Sequence, residues 1–218
     1  MSPRKSAIEA TATRVRIIER ALALAATEGL DGVTIGRLAA DLGMSKAGVV
    51  GQFGSKEALQ IAALEAAIEQ FRRRVPARAV GADPGLRRLT TAFGEWVDYM
   101  ADAEGHGGCL LTSVAAEFDG RPGPIRDAVL AALMSWSTYV STEVRTAVTN
   151  GELPPETDPE QVVFELNGIA LAVAQAIQLH HDPTAPARAR TAITRLLDVA
   201  PREASRPSSD DNLTGQYS

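Results

Sequence analysis

The segment from residue 34 to residue 59 constrains the fold more than any other part of the chain. Its apolar residues recur at helical spacings and are interrupted at Gly43 and before Ser55, which predicts two short helices over 34–42 and 45–52 and a longer helix after them. Two short helices joined by a glycine-containing turn are typical of a helix-turn-helix motif, whose second helix enters the major groove of DNA. Double-stranded DNA is therefore the first partner to expect.

The composition favours an all-α protein, because alanine and leucine dominate and aromatic residues make up only 5%. Helical periodicity and helix-breaking residues predict nine helices, over 13–28, 34–42, 45–52, 55–74, 84–104, 109–118, 123–150, 159–180 and 185–198. We therefore expect an N-terminal three-helix head that contains the helix-turn-helix and a C-terminal six-helix domain. The expected boundaries are a flexible arm at 1–12, the head at 13–54, the C-terminal domain at 55–199 and a disordered tail at 200–218.

The net charge of −5 disfavours nucleic acid binding, but the charge is unevenly distributed. Residues 1–74 carry 11 Lys/Arg and 8 Asp/Glu, and residues 75–218 carry 11 and 19. A basic N-terminal part suits a protein that offers one end to DNA phosphates. The most apolar stretch, residues 162–179, is too polar for a transmembrane helix, no secretory signal is apparent, and a single cysteine excludes an internal disulfide. The cytoplasm is the expected compartment, with no membrane association.

Two sets of short motifs resemble a known family. The first set is Glu28-Gly29, Thr34-Ile35, Leu38-Ala39, Leu42-Gly43, Ser45-Lys46 and the run from Phe53 to Leu59. It resembles the tetracycline-repressor (TetR) family of bacterial one-component regulators. The second set, Gly107-Gly108-Cys109-Leu110, Glu117-Phe118-Asp119, Arg121-Pro122-Gly123-Pro124 and Asp158-Pro159, looks like the C-terminal domain of one TetR subgroup. The resemblance implies that the C-terminal domain binds a ligand between its long helices and dimerises through its last two helices.

The resemblance also suggests phosphate contacts in the head. Lys56 matches a phosphate-binding lysine of the family, and Thr34 matches a second phosphate contact. A solvated lysine and a simple helix N-cap are the alternative interpretations. Arg37 could reach the DNA backbone or be an ordinary surface charge. Family members commonly carry an aromatic residue, usually tyrosine, that contacts phosphate at the position of Val50, and a valine cannot make that contact.

The helix predicted over 45–52 offers a small, largely apolar surface for base recognition. Lys46 can donate to guanine or to phosphate, and Gln52 can pair with adenine. Ala47 or Val50 can contact thymine methyl groups. Small residues there also let the backbone approach the groove closely. With the expected N-cap included, the predicted DNA-binding residues are Thr34, Arg37, Ser45, Lys46, Ala47, Gly48, Val50, Gln52 and Lys56.

Bulky, polarizable or polar side chains on otherwise apolar helices are the candidates for an effector pocket. They are Trp96, Tyr99, Met100, Cys109, Met134, Tyr139 and Asn167. The alternative is that most of them are ordinary core residues and only a subset lines a cavity. Asn167 needs a hydrogen-bond partner, which a ligand, a dimer partner or the backbone could provide. The expected effector is a small apolar or amphipathic molecule.

The helix predicted over 159–180 is apolar on most of its circumference, so it must be covered on more than one side. A second copy of the chain is the simplest cover for the side that its own domain leaves open. A homodimer would also present two heads to a pseudo-palindromic DNA site. The predicted interface residues are Phe164, Gly168, Leu171, Ala172, Gln175 and Leu179.

These observations predict a homodimeric, ligand-responsive transcriptional regulator, most simply a repressor that a small effector releases from DNA. The alternative is a helical small-molecule-binding protein without sequence-specific DNA binding, which Val50 makes conceivable. An enzyme ranks far behind. His106 and Cys109 lack an oriented third partner for nucleophilic catalysis, and the adjacent His180 and His181 lack the spacing of a metal site. No cofactor and no metal site is predicted.

Overall fold

The computed structural model describes residues 3–102 and 109–197, with side chains described from residue 8 onward. Within these residues the chain forms ten α-helices, one 3-10 turn and no strand, which confirms the all-α fold class. The helices are α1 (Pro3–Glu28), α2 (Ile35–Leu42), α3 (Lys46–Phe53), α4 (Lys56–Arg74), α5 (Pro76–Ala79), α6 (Leu86–Ala101), α7 (Leu110–Phe118), α8 (Pro124–Thr149), α9 (Pro159–Gln178) and α10 (Ala185–Leu197). The 3-10 turn, Leu30–Gly32, follows α1.

Helices α1, α2 and α3 pack together as the head, around a small core. Ile17, Leu38 and Val49, one from each helix, are fully buried. Gly43 ends α2 with a φ of 63°, a conformation that glycine adopts without strain. This allows the sharp turn that brings α3 across α2. The three-helix head and its helix-turn-helix are therefore present as predicted.

Hydroxyl side chains define the starts of three consecutive helices. Thr34, Ser45 and Ser55 precede α2, α3 and α4, and each accepts a hydrogen bond from the backbone N–H three residues later, at 3.2, 3.0 and 3.1 Å. These bonds satisfy N–H groups that have no partner within the helix. The N-caps predicted at Thr34 and Ser45 are confirmed.

The long helix α4 joins the head to the C-terminal domain, because it packs against both α1 and α8. Beyond α4, helix α6 packs against α8, α9 and α10, and α9 packs against α8 and α10. Helix α7 lies against α8, α4 and α9. Their shared core includes Leu64, Met100 and Val144, which are fully buried. The cavities described below lie between these helices.

The structure departs from the sequence predictions at several boundaries. The segment predicted as a flexible arm is helical from Pro3, because proline suits the first position of a helix and the residues after it are rich in alanine. The single turn α5 was not predicted, and α6 begins at Leu86 rather than at residue 84, since Gly85 has a φ of 105°.

The other domain boundaries remain predictions, and the tail at 200–218 and His106 lie outside the described residues. In the part of the chain that the structure describes, no helix is long and apolar enough to cross a membrane.

Candidate DNA interface and ligand cavities

Helix α3, the second helix of the helix-turn-helix, is fixed at both ends. At its start, Ser45 Oγ accepts a hydrogen bond from the N–H of Gly48 at 3.0 Å. At its end, the guanidinium of Arg14 donates to the carbonyl oxygen of Gln52 at 2.7 Å and lies 4.2 Å from the centre of the Phe53 ring. A cation at this end satisfies a carbonyl group without an intrahelical partner and interacts favourably with the helix dipole. Contacts with α1 therefore help to set the position of α3.

The surface that α3 presents is small and mostly apolar. Lys46, Ala47 and Val50 are exposed and lie on one face of the helix, whereas Gly48 and Gln52 are half-buried. The structure therefore brings the predicted base-contacting residues together. Only two of these side chains are long and polar, so apolar contacts with bases would form much of the interface.

Among the described residues of this surface, Lys46 is the cation that is free to bind DNA. Its side chain lies against Gly36 of α2, where an added Cβ would be 3.4 Å from Lys46 Cε. No carboxylate of the described residues lies within ion-pair distance of Lys46. Thr34, half-buried at the start of α2, uses its hydroxyl oxygen as the N-cap acceptor and can still donate to a phosphate.

The other two predicted cations already have partners within the chain. Arg37 forms ion pairs with Glu28 at 3.1 Å and with Asp41 at 3.3 Å, and Lys56 lies 3.5 Å from Asp31. Arg37 and Lys56 are 48% and 45% exposed. Exposed ion pairs contribute little free energy, so DNA phosphate can compete for both cations.

One cavity of the C-terminal domain, of about 390 Å³, lies among α6, α7, α8 and α9. We call it the α7–α9 cavity. Of the predicted pocket residues it contains Trp96, Cys109 and Asn167. Most of its lining is apolar, and Thr112 and Ser137 add polar groups. Its volume and lining suit a small molecule with a mainly apolar body.

A second cavity, of about 450 Å³, lies between α4, α5 and α8, and we call it the α4–α8 cavity. It contains Tyr139, whose buried hydroxyl has no hydrogen-bond partner among the residues that the structure describes. Burial raises the pKa of this tyrosine, so the hydroxyl stays protonated. Phe71 and Trp136 line both cavities, and their rings meet edge-on with centres 5.1 Å apart. These two rings therefore form a shared wall.

The remaining predicted pocket residues line neither cavity. Met100 is fully buried in the core, and Met134 is 61% exposed on α8. Tyr99 packs edge-on against Phe71, with ring centres 5.8 Å apart, and its burial raises its pKa to about 12. The Cys109 thiol is buried and its pKa is raised by that burial, which disfavours the reactive thiolate.

An exposed apolar surface runs along α8 and α9. All six residues predicted for the dimer interface are exposed, with Phe164, Leu171 and Leu179 at 72%, 59% and 65%. The exposed apolar residues of α8 are Leu130, Leu133 and Met134. The exposed side of α10 instead carries arginines and threonines. The family resemblance implied an interface through the last two helices, and Gly168 and Ala172 of α9 do lie beside Ala192 and Leu196 of α10. The dimer interface stays a prediction.

Comparison with protein family models identifies this arrangement. A model of bacterial regulatory proteins of the tetR family matches residues 17–63, and a model of the tetracyclin repressor-like C-terminal domain matches residues 85–193. The chain belongs to the TetR family. TetR-family proteins are DNA-binding transcriptional regulators without enzymatic activity, so the chain is a DNA-binding regulator and not an enzyme.

TetR-family regulators of known structure share the fold. A regulator from Chloroflexus aurantiacus J-10-FL is 26% identical, with a TM-score of 0.74 over 87% of this chain and 94% of the other. One from Streptomyces coelicolor is 22% identical, with a TM-score of 0.73 over 90% and 95%. AibR, solved in complex with isovaleryl coenzyme A and operator DNA, is 20% identical, with a TM-score of 0.71 over 84% and 97%. Among curated proteins none matches the sequence.

Four side chains that position the DNA-binding surface of this TetR-family chain were not predicted. Arg14 holds the end of α3, and Asp31 pairs with Lys56. Gln60 and Glu117 bind the 3-10 turn. One available signal was Gln60, a polar residue among the apolar positions of α4, and another was Glu117, which belongs to the Glu117-Phe118-Asp119 motif. The contacts of Arg14, Asp31 and Glu117 span long sequence separations, so no local pattern predicts their partners.

Proposed function

We propose that this TetR-family regulator is a cytoplasmic repressor that binds a pseudo-palindromic operator as a homodimer and is released by a small apolar or amphipathic effector. The α7–α9 cavity carries the ligand-responsive part of this proposal. At about 390 Å³ it falls within the range of small-molecule sites, and its lining is mostly apolar. The fold relative AibR was solved with a small-molecule thioester and DNA together, which supports one fold serving both roles.

The exposed apolar surface of α8 and α9 supports the homodimer. Large exposed apolar patches are unusual on monomers and mark interaction sites. Leu133 and Leu171 belong to this surface and also line the α7–α9 cavity. A second copy seated on α8 and α9 would therefore lie beside the bound effector, and dimer geometry and effector binding would influence one another.

The exposed face of α3 supports operator binding. Lys46 and Gln52 can read base edges, and Ala47 and Val50 can contact thymine methyl groups. Phosphate contacts from Lys56 and Thr34 would fix the register of the head on the duplex. Two heads about one DNA turn apart, roughly 34–36 Å, or a multiple of that distance would bind an inverted repeat.

The test uses the purified full chain. Light scattering should give the mass of a dimer at micromolar concentration, and selection from random duplexes should enrich an inverted repeat. Compounds that raise the melting temperature of the chain are then tested for release of the enriched duplex. A monomeric mass, or enrichment of no sequence, would contradict the proposal. A compound that stabilises the chain and tightens DNA binding would contradict release as the mode of control.

The second candidate is a helical small-molecule-binding protein whose head no longer reads DNA specifically. The observation that favours it is the scarcity of hydrogen-bonding side chains on the exposed face of α3, where Val50 is 39% exposed. Non-specific binding would weaken steeply with salt and equally for all duplexes, whereas operator binding would keep a large ratio of specific to non-specific affinity at each salt concentration.

A further inference from the structure

The 3-10 turn Leu30–Gly32, which joins α1 to α2 in the head, is bound by two side chains from outside the head. Glu117, near the end of α7, accepts hydrogen bonds from the backbone N–H groups of Leu30 and Asp31 at 2.8 and 2.7 Å. The buried amide of Gln60 in α4 donates to the carbonyl oxygen of Leu30 at 2.7 Å. The N–H groups of the turn are therefore held by α7 and a carbonyl group by α4.

Gly29 makes room for this contact. It has a φ of 77°, and a Cβ at this position would lie 3.1 Å from Glu117 Oε2. A larger residue would strain the backbone and press on the carboxylate. Glycine at position 29 therefore leaves the space that the Glu117 carboxylate of α7 occupies.

The same turn carries Asp31, which binds two cations. Its carboxylate accepts a hydrogen bond from Arg121, in the connection between α7 and α8, and also lies 3.5 Å from Lys56 Nζ. Lys56 is the residue that we expect to bind DNA phosphate. Asp31 therefore competes with DNA for Lys56. Arg121 binds Oδ2 of Asp31 whereas Lys56 lies beside Oδ1, so Arg121 neutralises part of the charge that attracts Lys56 without displacing it.

Helix α7 also forms one wall of the α7–α9 cavity. Leu111, Thr112, Ala115 and Ala116 line the cavity, and Glu117 is the next residue along the helix. Any displacement of α7 by a molecule in the cavity would therefore move the carboxylate that holds the 3-10 turn. One peptide bond joins Ala116 in the cavity wall to Glu117.

We infer that Glu117 and Arg121 form a latch, here called the α7 latch, that couples the α7–α9 cavity to the DNA-binding head. In the latched arrangement Arg121 neutralises part of the Asp31 charge, so Lys56 is available to phosphate. When α7 moves, Asp31 loses Arg121 and holds Lys56 more strongly, which weakens DNA binding. This inference rests on the proposed function, namely that the chain binds an operator and a small molecule.

Thermodynamic coupling is reciprocal, so DNA binding must also affect α7. This allows a test without knowledge of the effector. Hydrogen–deuterium exchange is measured on the full chain, free and bound to a duplex enriched by the wild-type protein. In the wild type, DNA should slow amide exchange in α7. In Glu117→Ala, DNA should still bind but leave exchange in α7 unchanged, and amides at 30–32 of the free protein should exchange roughly five- to thirtyfold faster.

The matched control is Glu95→Ala, which removes the 3.0 Å ion pair with Arg78 inside the C-terminal domain and touches neither the head nor the cavity wall. It should behave like the wild type. If Glu117→Ala lacks wild-type helicity, Glu117→Gln is used, since its one carbonyl oxygen can still accept from one N–H, and a smaller change of the same sign is expected.

The outcomes separate the two proposals. If no duplex is enriched, the proposed function is wrong and the inference falls with it. If a duplex is bound but exchange in α7 does not respond in the wild type, or responds equally in Glu117→Ala, the latch is overturned while operator binding stands.

Discussion

The head and the C-terminal domain satisfy their helix ends in different ways. In the head, α2, α3 and the start of α4 are each capped by a hydroxyl only three residues away. In the C-terminal domain, Asp158 caps α9 locally, but the N–H groups of Gly85 and Leu86 at the start of α6 donate to Glu143 and Glu152, at 2.8 and 2.9 Å. Those carboxylates are 58 and 66 residues further along the chain.

A cap from an adjacent residue fixes a helix start independently of tertiary packing. A cap from a distant residue makes the helix start depend on the packing of other helices. The contrast extends to the interior of the described residues, because Ile17, Leu38 and Val49 of the head are fully buried whereas the cavities of about 390 and 450 Å³ lie in the C-terminal domain. The DNA-binding head is thus joined to a C-terminal domain whose cavities leave space for its helices to move. Glu117, which caps the 3-10 turn from 87 residues away, is a distant cap that crosses between them.

The largest expected difference between the head and the C-terminal domain is in the free energy of unfolding that is lost when one buried leucine in each is replaced by alanine. Leu38 is fully buried in the head, and Leu111 borders both cavities. Leu38→Ala should lower the free energy of unfolding by about 3–5 kcal/mol, and Leu111→Ala by only about 2–3 kcal/mol, because Leu111 already lacks neighbours on two sides. Urea unfolding followed by circular dichroism, at matched protein concentration, measures both. Equal costs would refute the contrast in packing.

Lys46→Ala should weaken binding to a selected operator duplex by about 1–3 kcal/mol, because Lys46 has no ion-pair partner among the described residues to compete with DNA. Arg37→Ala should cost less, since Arg37 must first leave Glu28 and Asp41. Gel-shift titration at fixed salt compares the two variants. An unchanged affinity for Lys46→Ala would remove Lys46 from the interface.

The same contrast explains what could be predicted from the sequence. Thr34 and Ser45 were predicted as caps because a cap and its helix are adjacent in sequence, and each accepts the expected type of backbone hydrogen bond. The helix-turn-helix and the family followed from equally local motifs.

Residues that act at a distance could not be read from local pattern. Glu117 sits on a helix like any surface glutamate, and only the fold brings it to the 3-10 turn. The cavity was predicted in part for the same reason. Trp96, Cys109 and Asn167 line it, but Met134 faces outward, because helical spacing alone does not say which side of α8 another helix covers.

Removal of a local cap should cost less than removal of a core side chain. Ser45→Ala deletes the bond to the N–H of Gly48 and should lower the free energy of unfolding by about 1 kcal/mol. Ser135→Ala, at an exposed position within α8, is the control and should be neutral or slightly stabilising. Urea unfolding measures both changes. A neutral Ser45→Ala would show that α3 is held by Arg14 and packing rather than by its own cap.

The smallest expected effect is a change in the pKa of Asp31, whose carboxylate lies where the head meets the C-terminal domain. The hydrogen bond from Arg121, followed by the charges of Arg121 and Lys56, lowers the pKa of Asp31 below its ordinary value of 3.8. A lowered folded-state pKa means that the contribution of Asp31 to stability is fully present above pH 3.8 and is lost as the pH falls through the folded-state value. This contribution is therefore constant near neutral pH.

Carbon-13 NMR titration of the Asp31 carboxyl group should give a pKa below 3.8 in the wild type and one closer to 3.8 in Arg121→Ala. Arg78→Ala, whose guanidinium pairs with Glu95 instead, should leave the pKa of Asp31 unchanged. If Arg121→Ala has no more effect on this pKa than Arg78→Ala, then Arg121 does not bind Asp31 in solution, and α7 holds the 3-10 turn through Glu117 without help from Arg121.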